Sequence, residues 1–424
     1  MVRRSRLLGF AAWCVVLTLS VFLAACGGSS SSSSNSSSSE ESASTTVQGE
    51  PIGEGLLPAK SKAVEELPAE LQAFYKGTVG NIGPSPLVTF KSTAKPPYTI
   101  GYASTYAGNT WRSTVLNELE KVLIPEYEKM GLVDKLLVTQ SNGDVATQIQ
   151  NEKQLLDQGA DVLLTVAPPP GLDKSIEYAY EKGVPYVAFD GPVKPAMALN
   201  TGVNYYLGGY EETRSLAQEI GGKGNVLLVS GIPGVGPSEL FNEGAKQALK
   251  EFPEIQLVGE VAGMWTDPIA KSEVLKFLAT HPEELNGIIA QAATEVGTLQ
   301  ALEQSGREIV PMTIGGEVGA MCYWRNHPDW LKHGFLIWPP SAEPSLGLRA
   351  ALRTLLGQGP KIQTITRPQF TVDYKEVKER VPASCSEEDT NWVPLEQEEW
   401  FSNKMLDSFF AHPFELDEWE KRVN

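Results

Sequence analysis

The chain has 424 residues, 42% hydrophobic and 21% charged, the proportions of a globular protein long enough for two separately cored lobes. Its net charge of −17, with no Lys/Arg cluster, excludes nucleic-acid binding through an electrostatic footprint. Four cysteines and four histidines fall in no CxxC or metal-ligand spacing, so neither a metal nor a cofactor is expected.

Residues 1–26, MVRRSRLLGFAAWCVVLTLSVFLAAC, carry three arginines, an apolar run and then small residues, the order of a secretory leader. The ending Leu23-Ala24-Ala25-Cys26 resembles a bacterial lipobox, which makes Cys26 the lipidated residue of an exported, membrane-tethered protein. The alternative is a plain membrane anchor, since the apolar run nearly reaches the ~20 residues a spanning helix needs. Small residues before Cys26 and a polar tract after it favour the lipoprotein. Cys322 and Cys385 remain as a pair that an extracytoplasmic compartment would allow to form a disulfide; the sequence leaves open whether they approach. Residues 27–97 read as a serine-rich tether, Ser29 to Thr46, followed by a proline- and glycine-rich surface extension with one helix near Glu65 to Tyr75.

From Tyr98 short apolar strands alternate with helices that end at glycine. Strand Tyr98–Ser104 leads to a helix from about Thr110 to Gly131, and strand Lys135–Gln140 to a helix capped by Asp144. Strand Asp161–Val166 and a helix to Lys182 precede strand Val184–Phe189, which ends on Asp190-Gly191-Pro192. Thr201 to Gly209 reads as an extended crossing into a second lobe, with a helix from Gly209 to Ile220. There the alternation restarts: strand Asn225–Ser230, loop Gly231–Pro237, helix from Ser238, strand Ile255–Val261, helix Pro268–Thr280, strand Gly287–Gln291 and helix Thr294–Ser305. Strands Ile309–Ile314 and Gly334–Trp338 follow, and Pro339-Pro340 is the return crossing into helix Ser345–Leu356. The expected architecture is α/β with two doubly wound, Rossmann-like lobes, 98–204 plus 339–370 and 205–338 plus 371–385. The segment 386–424 is acidic yet rich in Trp and Phe, so it is expected to pack across a lobe.

No catalytic motif stands out: there is no G-x-S-x-G elbow, HExxH or Walker lysine. The loop Gly231-Ile-Pro-Gly-Val-Gly236 follows a strand and precedes a helix, as a phosphate loop would. It lacks the GxGxxG spacing and its prolines remove N–H donors, so a tight turn is the plainer reading. The stronger pattern is a rim of side chains at carboxyl ends of strands, where open α/β sheets bind ligands. Trp111, Asp190, Trp265, Glu317 and Trp338 fall there, and Asn109 and Glu239 complete the candidate set. Carboxylates accept paired hydroxyl hydrogen bonds, and indole faces cover the C–H face of a sugar ring. Singly, Asp190 could merely cap a turn and each tryptophan could fill core.

Residues Tyr98 to about Asp373 resemble the ribose-binding type of periplasmic sugar-binding proteins, the substrate receptors of ABC transporters, through IGYASTYAGNTW, VPYVAFDGP, GVNYYLGGY, LLVSGIPG with NEGAKQALKE, and GIIAQAATEVGTLQAL. The resemblance implies three interlobe crossings, a ligand held in the cleft, Asp190 gripping sugar hydroxyls and Trp111 stacking. Trp265 falls near another aromatic position, and Glu317 stands where an aspartate is usual. The chain departs at Pro237-Ser238-Glu239, where an arginine is usual, at Ala292-Ala293, where Asn-Asp is, and near Trp338, where a glutamine is. These departures leave a thinner hydrogen-bonding set and a larger aromatic one, so a less polar sugar derivative, a polyol, a nucleoside or a cyclic autoinducer is the expected ligand. The resemblance implies a monomeric, non-enzymatic, lipid-anchored receptor that delivers a sugar, polyol or similar small molecule to an ABC permease. A sensor of the same fold and a secreted enzyme using Asp190 and Glu317 as acid and base are the alternatives.

Overall fold

The computed structural model describes residues 52–394 and 401–423. The leader with Cys26, the serine run and Trp400 lie outside the described residues.

Six parallel strands build the first lobe: β1 (Tyr98–Ser104), β2 (Val133–Gln140), β3 (Val162–Val166), β4 (Tyr186–Phe189), β5 (Ala198–Gly202) and, far later in the chain, a strand at Thr364–Thr366. Their order is β2-β1-β3-β4-β5 with Thr364–Thr366 at the edge. β3 and β4 are buried at every position, as expected for strands covered by helices on both faces. Parallel pairing directs all their carboxyl ends to one side, where Asp190 directly follows β4.

The second lobe carries a three-stranded parallel sheet with β6 (Lys223–Ser230) between β7 (Glu254–Ala262) and β8 (Gly287–Ala290). Beside it a short antiparallel pair joins β9 (Phe335–Ile337) to Phe370–Val372. With the edge strand Thr364–Thr366 now β10 and Phe370–Val372 β11, the chain passes between lobes three times. It crosses at 203–204, after β9 into helix Ala342–Leu355, and between β10 and β11 at 367–369. The crossings are bonded together: Arg367 N donates to Gly202 O at 2.8 Å and Gln369 Nε2 to Asn204 O at 3.2 Å.

Several sequence expectations change. The stretch Ala198–Gly202 is a full strand of the first sheet, so the crossing is shorter than Thr201–Gly209. The next helix starts at Tyr205, capped by the Asn204 side chain accepting from Leu207 N, and not at Gly209. Gly208 and Gly209 lie inside that helix because it needs bare backbone there: a methyl on Gly208 would collide with the Trp338 ring. The run Ile309–Ile314 is no strand; it makes a single bridge, Met312 to Ile288, since Pro311 has no N–H to extend a ladder. The helix near Glu65–Tyr75 is broken at Pro68 into Lys62–Glu65, Ala69–Gln72 and the 3-10 turn Ala73–Tyr75. A helix over Val318–Asn326 was not foreseen.

Residues 52–97 pack on the hinge. The buried Tyr75 hydroxyl donates to Thr364 O at 2.7 Å, and Asn204 Nδ2 donates to Phe74 O at 3.0 Å and Lys76 O at 2.8 Å. At the other end, Cys322 and Cys385 form a disulfide with their Cα atoms 5.8 Å apart. Residues 389–393 pair with Gly316–Gly319 of the second lobe, while Thr110 of the first lobe donates to Thr390 O at 2.6 Å and accepts from the Trp392 indole at 3.1 Å. Residues 401–414 then cover helix Ala342–Leu355. Arg349 donates to Phe401 O at 3.1 Å, and Arg353 pairs with Asp407 at 2.6 Å.

Candidate ligand-binding cleft

A cleft, partly open to solvent, lies between the lobes beside the crossings, and clefts between lobes are common places for small molecules to bind. Of the seven candidates, Asn109, Trp111, Asp190, Trp265 and Trp338 line it; Glu239 and Glu317 do not. Glu239 faces the solvent side of its helix and accepts from Gly234 N at 2.7 Å, which closes the Gly231 loop as a turn. Glu317 is buried, accepts from Val296 N at 3.3 Å and bridges to Trp392 at the C-terminal segment. The acid/base pairing of Asp190 with Glu317 therefore has no common space.

Asp190 sits in the left-handed region at φ 56°, as Trp265 does at 51° and Ala293 at 65°. Three such residues lining one cavity, one from the first lobe and two from the second, mark the kind of strain that surrounding packing must enforce, of order 1–3 kcal/mol each. Asp190 Oδ1 accepts from the Tyr205 hydroxyl. Burial pushes its carboxyl well above the usual range and the Glu343 charge adds to that, while Arg112 and Arg367 pull it back. Glu343, from the start of helix Ala342–Leu355, is 1% exposed. Its Oε1 takes both Arg367 Nε at 2.9 Å and Nη2 at 2.7 Å, whereas Oε2 has no protein partner.

The indole N–H groups of all three tryptophans are engaged within the protein. Trp111 Nε1 donates to Trp338 O at 2.9 Å, Trp338 Nε1 to Glu212 at 3.0 Å, and Trp265 Nε1 to Gln291 Oε1 at 2.9 Å. Tyr205 stacks on Trp338 with centroids 5.3 Å apart and an interplanar angle of 7°, and Phe241 meets the same ring edge-on. Gly231 makes room for Trp265: any side chain there would overlap its ring. Across the mouth, Asn109 Nδ2 donates to Trp265 O at 2.8 Å, so the two lobes meet in a closed arrangement.

Arg112, Tyr205, Phe241, Gln291 and Glu343 also line the cavity and were not singled out in the sequence. Arg112 follows Trp111 and could have been suspected from that; Glu343 sits in an ordinary polar helix start and carries no local signal.

The chain matches the periplasmic binding protein domain over residues 100–358. It is 27% identical over 189 residues to the xylitol-binding protein of Mycolicibacterium smegmatis, covering 44% of this chain and 54% of that protein. It is 24% identical over 198 residues to the D-xylose-binding periplasmic protein of Escherichia coli, covering 44% and 57%. The chain thus matches little more than half the length of these curated relatives. Among solved structures, an ABC transporter solute binding protein from Thermobispora bispora superposes with a TM-score of 0.64 at 26% identity, covering 72% of this chain and 93% of that one.

Proposed function

We propose, from the premise that this chain belongs to the periplasmic binding protein family, that it is the extracytoplasmic receptor of an ABC importer for a sugar or polyol. Membership of a family of binding proteins sets it apart from the enzymes. The observation that carries the reading is the cleft between two hinged lobes, walled by three tryptophans whose polar edges are engaged and by a buried carboxyl at a strand end. Ring C–H faces would lie on the indoles and hydroxyls would meet Asp190, Arg112 and Glu343. Closure would be favoured because a ligand touching both walls contacts the closed form more than the open one. The names of the relatives, a xylitol binder and a D-xylose binder, support the same ligand class.

The lipid anchor at Cys26 and the partner permease belong to this proposal on the sequence alone. The decisive experiment is mass spectrometry of small molecules released from the purified full chain, followed by a melting-shift panel of xylitol, D-xylose, D-ribose and myo-inositol. A ligand at 100 times its Kd stabilises by about 2.7 kcal/mol, a shift of roughly 3–4 °C in a protein this size. No carried-over carbohydrate, and no shift with these sugars or with their deoxy and methyl derivatives, would overturn the reading.

A further inference from the structure

The two walls of the cavity differ in chemistry. The first-lobe wall holds Arg112, Asp190 and Glu343, and Glu343 Oε2 is buried there without any protein donor. The facing wall holds Pro237, Phe241, Trp265, Ala292 and Ala293. Its one amide, Gln291, is already engaged: Nε2 donates to Ser238 O at 3.1 Å and Asn242 Oδ1 at 2.7 Å, and Oε1 accepts from Trp265. The second-lobe side thus offers a ligand no unengaged polar side-chain group among the described lining residues.

A hydroxyl pressed onto that wall would lose its water partners and gain none, at roughly 5- to 150-fold in affinity. A methyl or C–H group in the same place would bury apolar surface favourably. Glu343 Oε2 and Asp190 demand the opposite on the other wall, since an unpaired buried carboxylate oxygen calls for a donor. The Glu343–Arg367 pair lies on two of the three crossings, so a donor reaching Glu343 touches the hinge itself.

We propose that the ligand is an amphipathic sugar derivative, with adjacent hydroxyls along one edge for Asp190 and Glu343 and a deoxy, methyl or alkyl-ether group on the opposite edge against Phe241, Trp265 and Ala293. This rests on the sugar-receptor reading above and narrows it. Fully hydroxylated monosaccharides and linear polyols bind more weakly, because some hydroxyl always faces the apolar wall.

Calorimetry on the full chain with matched pairs tests it: L-fucose against L-galactose, L-rhamnose against L-mannose, and methyl β-D-xylopyranoside against D-xylose. The deoxy or methylated member of at least one pair binds tenfold or more tightly than its parent. Glu343→Gln, which keeps an acceptor for Arg367 but gives the cavity an amide, weakens that member about tenfold. Ala293→Asn, a residue that tolerates the local φ of 65°, narrows the preference by giving a hydroxyl a partner. Parents that bind as well as or better than their partners in every pair overturn the amphipathic class and leave the sugar-receptor reading standing. Binding of neither series overturns both. Should Glu343→Gln fail to fold, the comparison on the unaltered chain still decides.

Discussion

Asp190 holds a buried carboxyl, a left-handed backbone and the Tyr205 hydroxyl at once. A ligand in the cleft would give that combination a use. Asp190→Ala is expected to weaken sugar binding about ten- to hundred-fold, the loss of buried hydrogen bonds between its carboxyl and hydroxyls. Trp111→Ala should cost about tenfold through lost ring stacking, and calorimetry with the ligand found in the melting panel measures both. This position was readable from sequence because an acid immediately after a β-branched, aromatic run and before Gly-Pro marks a strand's carboxyl end. Glu317 had the same kind of context yet points inward, where burial and the neighbouring Glu295 and Asp267 charges push its carboxyl well above the usual range. No local pattern separates an acid turned to the cleft from one turned to its own lobe. That choice is made by tertiary packing.

The buried acids also set a pH dependence. Burial raises Asp190, Glu212 and Glu317 well above their ordinary values, and raises Asp267 to about 6 from 3.8. Each therefore holds its proton in the folded protein at pH values where the unfolded chain has released it. Stability falls as pH rises through that window, for Asp267 from about pH 4 to beyond pH 6. Thermal melts should give a higher midpoint at pH 5 than at pH 7.5, and Glu317→Gln should flatten the difference. A midpoint that rises steadily over that range would contradict the burial of these groups.

Among elements, the strands and most helices followed from apolar runs punctuated by glycine, as with β3, β4 and helix Val145–Asp157 under its Asp144 cap. The helix start at Tyr205 was hidden because Gly208-Gly209 normally argues against a helix interior; here the glycines serve close packing to Trp338 and Phe241. The C-terminal segment was legible only as something that must be covered. Its contacts supply a test: ending the chain after residue 394 strips Arg349 and Arg353, each about 1% exposed or less, of Phe401, Asn403 and Asp407. Removing these partners from two buried guanidinium groups should cost about 3–5 kcal/mol, read as a lowered denaturation midpoint, and more than Asp407→Ala costs alone. The disulfide acts at the same segment. Its bridge spans 63 residues, so reduction should remove about 4 kcal/mol of stability on chain-entropy grounds.

At the scale of the molecule, two parallel sheets open toward one another across three bonded crossings, with Asn109 and Trp265 meeting at the far lip. The duplicated α/β alternation made that architecture readable. The shape of the cavity was not, because its walls come from Arg112, Phe241 and Glu343, which the chain brings together from more than 200 residues apart. Small-angle scattering of the full chain, alone and saturated with the sugar that shifts its melting most, measures whether this cleft closes on a solute. A larger radius of gyration is expected without ligand, with a contraction on binding, toward about 21 Å for the globular part. A sugar that binds while the radius stays fixed, or one whose affinity survives Asp190→Ala, would contradict this reading.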